Sequence, residues 1–166
     1  MIRVVVDDLA FVSADAVVRA ADESLNPIDP QMTRLDRQAG ERFAALRRVS
    51  TPLAAGSAVV TGGGDLAAPF VVHVVIRDQG SPVGPEVVRR ALVSAWQRAA
   101  DWGLDTLAAP LVGAGAGQLS AEDSARLLAE TFRGRAPAPC PSALSIVVER
   151  DEDRELVDAI VRRRSG

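Results

Sequence analysis

Short apolar runs alternate along this chain with stretches in which apolar residues return every three or four positions, the pattern of strands interleaved with amphipathic helices. Ile2 to Val6 reads as a buried strand that ends on Asp7 and Asp8, and Asp15 to Ala21 as a second strand. A polar, Pro-punctuated loop from Asp22 to Pro30 follows. Met32, Leu35, Ala39, Phe43 and Leu46 share one helical face, which predicts a continuous helix running through Gly40. Ser57 to Thr61 and Phe70 to Ile76 are strands separated by a turn at Gly62 to Asp65. Pro85 opens a helix striped with Val88, Leu92, Trp96 and Ala99, and Gly103 closes it in a left-handed cap. Thr106 to Val112 is a strand leading into Gly113 to Gly117. Ser120 and Asp123 then cap a helix that ends near Gly134. After a Pro-rich linker from Arg135 to Pro141 come a strand, Ala143 to Val148, and a last helix. That helix starts at Asp151 or Asp153, is carried by Leu156, Val157, Ile160 and Val161, and ends in Arg162 to Arg164.

Strands alternating with helices predict an α/β fold: a three-layer α/β/α sandwich with a mixed, mostly parallel central sheet. Val4 to Val6, Val72, Val74 and Ala108 are expected inside it, with the ligand cleft at the carboxyl ends of the strands. At 166 residues, 48% of them hydrophobic, the whole chain is expected to form one domain. Neither a run of about 18 apolar residues nor a leader peptide is evident, which predicts a cytoplasmic protein without a membrane partner.

Composition removes several chemistries. All 19 basic residues are Arg, so a phosphate-loop lysine, a Schiff-base lysine and a lysine general base are excluded. Net charge is −3, the Arg residues are dispersed and Tyr is absent, which argues against a nucleic-acid partner. One Cys and one His supply neither a disulfide nor a conventional zinc cage, and no metal or cofactor is expected. His73 sits inside an apolar strand and reads as a satisfied core histidine rather than a base. Cys140, between two prolines, has no activating neighbour in sequence. Gly113-Ala114-Gly115-Ala116-Gly117 stands between a strand and a helix start, where free amides and the helix dipole favour an anion; a plain flexible connection is equally compatible with it. Asp8 either caps a turn or accepts from an exocyclic amine, the cap being favoured.

Taken in order over roughly residues 3 to 133, these pieces resemble the macrodomain family. Asp7-Asp8-Leu9-Ala10 matches its Gly-Asp-Ile-Thr, Asp15-Ala16-Val17-Val18 its Asp-Ala-Ile-Val, and Arg19-Ala20-Ala21-Asp22 its Asn-Ala-Ala-Asn. Gly56 to Thr61 is similar to Gly-Glu-Ala-Val-Ile-Thr, Phe70 to Val75 to Tyr-Val-Ile-His-Thr-Val, and Gly113-Ala114-Gly115 falls on the Ser-Thr-Gly phosphate loop. The resemblance implies a ligand such as ADP-ribose or a related nucleotide, with an ADP-ribosylated protein as a further partner. It implies that Asp8 and Leu9 read adenine, that Gly113, Ala114, Gly115, Ala116 and Gly117 wrap the diphosphate, and that Ala21 and Asp22 meet the distal ribose. The family's catalytic glycine loop is replaced by Pro27 to Thr33, with Met32 where its Asp is expected, and proline cannot reproduce the close approach of glycine. Three readings remain: a binding module with little or no hydrolase activity, a de-ADP-ribosylating or ADP-ribose-phosphate hydrolase with Asp22 or Asp29 as the catalytic residue that orients water against the distal ribose, and a pocketless scaffold.

Overall fold

The computed structural model describes residues 1–115 and 119–163. Six strands form one sheet: β1 (Ile2–Val6), β2 (Ala16–Asp22), β3 (Ala58–Gly62), β4 (Phe70–Arg77), β5 (Thr106–Ala109) and β6 (Ala143–Val148). Their order is β1-β6-β5-β2-β4-β3, parallel throughout except for the antiparallel β3 at one edge. Helices α1 (Pro30–Ala39), α2 (Glu41–Leu46), α3 (Pro85–Asp101), α4 (Ala121–Arg133) and α5 (Asp151–Arg162) cover both faces, so the expected α/β/α sandwich is the observed one. The sheet is mostly parallel because four of its five pairings are reached by crossovers that carry helices or long turns.

The central strands are apolar because each is covered twice: Val71, Val72, Val74, Val75 and Ile76 of β4 and Ala16, Val18 and Ala21 of β2 are fully buried. Val72, Val74 and Ala108 are inside as expected, whereas Val6 is 39% exposed and Val4 and Val5 are only partly buried. β1 is an edge strand, and its end emerges into solvent beside Asp7 and Asp8. Trp96 anchors the α3–α4 contact: its ring meets Phe132 edge-on at 5.2 Å and its Nε1 donates to Thr131 Oγ1 at 3.0 Å.

Three local expectations are corrected. The helix expected through Gly40 is two helices, because Gly40 adopts φ 87° and the chain turns there. A Cβ at Gly40 would overlap the Asp65 carboxylate, while the Asp65 amide donates to Ala39 O at 2.9 Å, so the Gly62–Asp65 turn is seated on the break. The strand expected to reach Val112 stops at Ala109, since Pro110 has no amide to continue the ladder. In α5 it is Val157 and Val161 that are buried; Leu156 is exposed. Other signals held. Gly103 has φ 67°, and Ser120 Oγ accepts from the Asp123 amide at 3.0 Å to start α4.

Candidate functional site

Parallel strands bring the ends of β2, β4, β5 and β6 to one rim of the sheet, and two hollows open there. One, of about 430 Å³, is lined by Gln31, Leu111, Ala114, Gly115, Val148 and Arg150, among others. The other, of about 620 Å³, lies beyond β2 and β4 against Glu23, Ser24, Leu53 and Asp78. Asp22 to Pro30 runs from the second hollow to the first.

The glycine loop is held by its own geometry. Gly113 takes φ 85°, and a Cβ there would lie 2.7 Å from Leu119 Cδ1, so this position requires glycine on both counts. Ala114 N–H is spent on Leu111 O at 3.1 Å. Ala114 and Gly115 line the 430 Å³ hollow at the approach to α4. Ala116 and Gly117, expected to complete the wrap, lie outside the described residues.

The rewritten loop is tightly folded. Asp22 Oδ1 accepts from the amides of Ser24 and Asn26, both at 2.9 Å, and the Leu25 amide returns to Asp22 O at 2.9 Å. Leu25, at φ 60°, is buried against Ala21 and Val75. The Asp22 carboxylate is thus turned onto its own loop. Asp29 caps α1, its Oδ1 accepting from the Met32 amide at 2.9 Å. Its other oxygen faces the glycine loop: a Cβ on Gly115 would overlap Oδ2 and stand 2.8 Å from Cγ. The structure therefore brings Asp29 and Gly115 together. Met32 is buried, and its Sδ accepts from the Ala20 amide at 3.3 Å.

Asp8 and Leu9 stand apart from these groups. Asp8 is exposed and Oδ1 accepts from the Ala10 amide at 3.0 Å, capping a single 3-10 turn that buries Leu9. Neither residue lines the two hollows.

Sequence reasoning missed the charged cluster beneath this rim. Arg19 of β2 is fully buried and binds Asp36 of α1 through two bonds of 2.7 Å each. Its Nη1 also donates to His73 Nδ1 at 3.1 Å, which leaves the other ring nitrogen to donate to Thr61 Oγ1 at 2.8 Å. Phe43 stacks on His73 with ring centres 5.8 Å apart, and the Arg19 guanidinium lies over the same Phe43 ring. Arg47, 3.6 Å from Asp36, donates to Leu25 O and Asn26 Oδ1 and so reaches the folded loop. His73 is the core histidine expected. Burial, then the charges of Arg19 and Arg47, hold its pKa well below the usual value and keep it neutral. The available signal was an Arg in an apolar strand, which demands a buried partner.

Among the described residues, no group of three or more His, Cys, Asp or Glu comes together as a metal site, and no helix is long and apolar enough to cross a membrane. The site offers main-chain amides, a few carboxylates and arginines already paired: Arg150 meets Asp153 at 3.3 Å, and Arg34 reaches across from α1 to Glu149 at 2.8 Å.

Comparison with known proteins places this arrangement. The solved macrodomain of Trypanosoma brucei in complex with ADP superposes with a TM-score of 0.82 at 18% identity, covering 96% of this chain and 68% of that one. An O-acetyl-ADP-ribose deacetylase of Enterobacter is 28% identical across 98% of this chain and 94% of its own length. A Mycobacterium tuberculosis protein is 27% identical over 130 residues, which is 78% of this chain and 36% of that protein, so the chain spans about a third of the length of such mycobacterial relatives. The macro domain family model matches residues 18–128, from the middle of β2 through most of α4, and on that match the chain belongs to the macro domain family.

Proposed function

We propose that the chain binds ADP-ribose or a related adenine nucleotide, free or attached to a protein, with little or no hydrolysis. The observation that carries this reading is the stretch Gly113 to Gly115 at the sheet's carboxyl rim, ahead of α4 and beside an open hollow of about 430 Å³, in a macro domain chain. An ADP complex of a structural relative and the name of the Enterobacter relative supply the ligand class.

Weak hydrolysis follows from the loop. A general acid or base contributes about a hundredfold to ten-thousandfold. Here Met32 is buried in the core, Asp22 is bonded to its own loop amides and Asp29 to the first turn of α1. The close backbone approach of a glycine loop is also lost at Pro27 and Pro30.

Calorimetric titration with ADP-ribose, beside incubation with mono-ADP-ribosylated protein while following released ADP-ribose, tests both halves. Binding without release is expected. Robust release abolished by Asp22→Ala or Asp29→Ala makes the protein a hydrolase instead, and no binding of any adenine nucleotide makes it a scaffold.

A further inference from the structure

We infer that the amino-terminal end of the sheet, opposite the glycine loop, is a docking surface for an arginine-bearing segment of a partner protein, with Trp102 as its anchor. This surface uses none of the residues that line the two hollows, so it stands apart from the nucleotide reading. Trp102 closes α3 and is 54% exposed, and its ring meets Phe70, the first residue of β4, at 5.8 Å with a tilt of 59°. An indole left half in water forgoes much of the burial it could supply to the core, and Trp is among the side chains most enriched as anchors of protein interfaces. Charge selects the partner. Ala16 of β2 pairs with both Phe70 and Leu107, so Asp15 stands beside the aromatic pair, and its Oδ2 accepts from the amides of Asp105 and Thr106 at 2.8 and 3.1 Å. Asp101 precedes Trp102 and Asp105 follows it by three residues. Three carboxylates thus gather where the carbonyl end of the α3 dipole is already negative. Arg98, tied to Asp101 at 3.0 Å, offsets one of them. An Asp as the last residue of a helix works against the dipole, and a local rule broken in this way points to a contact that it serves. A guanidinium answers both features, because it is attracted to the face of an indole and pairs in plane with a carboxylate. A second copy of the chain is disfavoured as the occupant, since a two-fold contact would set these carboxylates against their own copies.

The chain has two Trp, so its nitrogen–proton correlation spectrum carries two indole signals, one from Trp96, whose Nε1 is bonded to Thr131, and one from Trp102. Trp102→Leu assigns them by the signal it removes. The full chain is titrated with a capped peptide of alternating arginine and glycine, and with the same peptide carrying citrulline, which keeps the shape and removes the charge. The arginine peptide is expected to shift the Trp102 signal and leave that of Trp96 in place. Its affinity, measured by calorimetry on variants with matching thermal transitions, should fall about tenfold or more in Trp102→Leu. It should fall severalfold when Asp101→Asn and Asp105→Asn are combined, and with rising salt. No shift at millimolar peptide, binding that survives Trp102→Leu, or equal binding of the citrulline peptide overturns the inference. So does a Trp102 signal that moves with protein concentration alone, which makes this face a contact between copies of the chain. ADP-ribose, titrated separately, tests the nucleotide reading by itself, so the two readings fail independently.

Discussion

At the scale of single residues, the chemistry turns on where each charge is answered. His73 is enclosed by Arg19, Arg47, Phe43 and Thr61, and its proton acceptor nitrogen is already used by Arg19. Protonating it in the folded state would remove that acceptor and place a third positive charge beside two guanidinium groups. The unfolded chain carries no such penalty, so between the depressed folded pKa and the ordinary value of about 6.5 the unfolded state binds more protons. Stability from this group is therefore complete above about pH 6.5 and falls as the pH is lowered, by up to about 1.4 kcal/mol per pH unit. Urea unfolding between pH 7.5 and 5 should show this slope, and His73→Gln should flatten it. A wild-type stability that is flat across that range would refute the neutral-histidine assignment. Asp8, Asp22 and Asp29 illustrate the same rule on the rim: each carboxylate accepts from an amide of its own turn or helix start.

Elements are positioned by a few such contacts. α1 and α2 have modest apolar faces, with Met32, Leu35, Ala39 and Phe43 buried, and the break at Gly40 divides them. Asp36 joins α1 to β2 through Arg19 and stands beside Arg47, which in turn holds the Asp22–Pro27 turn through Leu25 and Asn26. Removing Asp36 leaves Arg19 buried without a counter-charge, so Asp36→Ala should cost about 3–5 kcal/mol, whereas the double change Arg19→Met with Asp36→Leu should recover part of it, His73 Nδ1 having then lost its donor. Chemical denaturation of the two variants measures this. A loss below about 1 kcal/mol in Asp36→Ala would mean that the pair behaves as a surface ion pair and does not anchor the helix. The macro domain rim is thus supported from beneath by a charge cluster, with the loop geometry following from it.

Over the whole molecule, one large apolar cluster runs from Leu9 through Trp96 and Phe132 to Val161, drawing on all six strands or their flanks and on all five helices, with a small second cluster of Ala21, Leu25 and Val75 under the Asp22–Pro27 turn. We expect the chain to unfold as one cooperative domain for that reason. Fluorescence of Trp96, which is buried, and Trp102, which is half exposed, should follow the same transition as far-ultraviolet circular dichroism. Separated midpoints would divide the chain into independently folding parts.

The alternation of apolar runs with amphipathic stretches determined the strand and helix order by itself, because period and capping chemistry are local: Ser120 caps α4 and Gly103 ends α3 where the residues alone place them. The ordered motifs from Asp7 to Gly115 likewise carried the family, since backbone turns and strand ends need particular residue types at particular spacings. Gly40 escaped the same reasoning because an isolated glycine is compatible with a helix, and only the docking of the Gly62–Asp65 turn selects the break. The partners of Arg19 are 17 and 54 residues away in sequence, and the approach of Asp29 to Gly115 spans two loops on different strands. Those pairings were decided by the tertiary structure alone, for burial tells a charge that it needs a partner, while only the folded sheet determines which one is within reach.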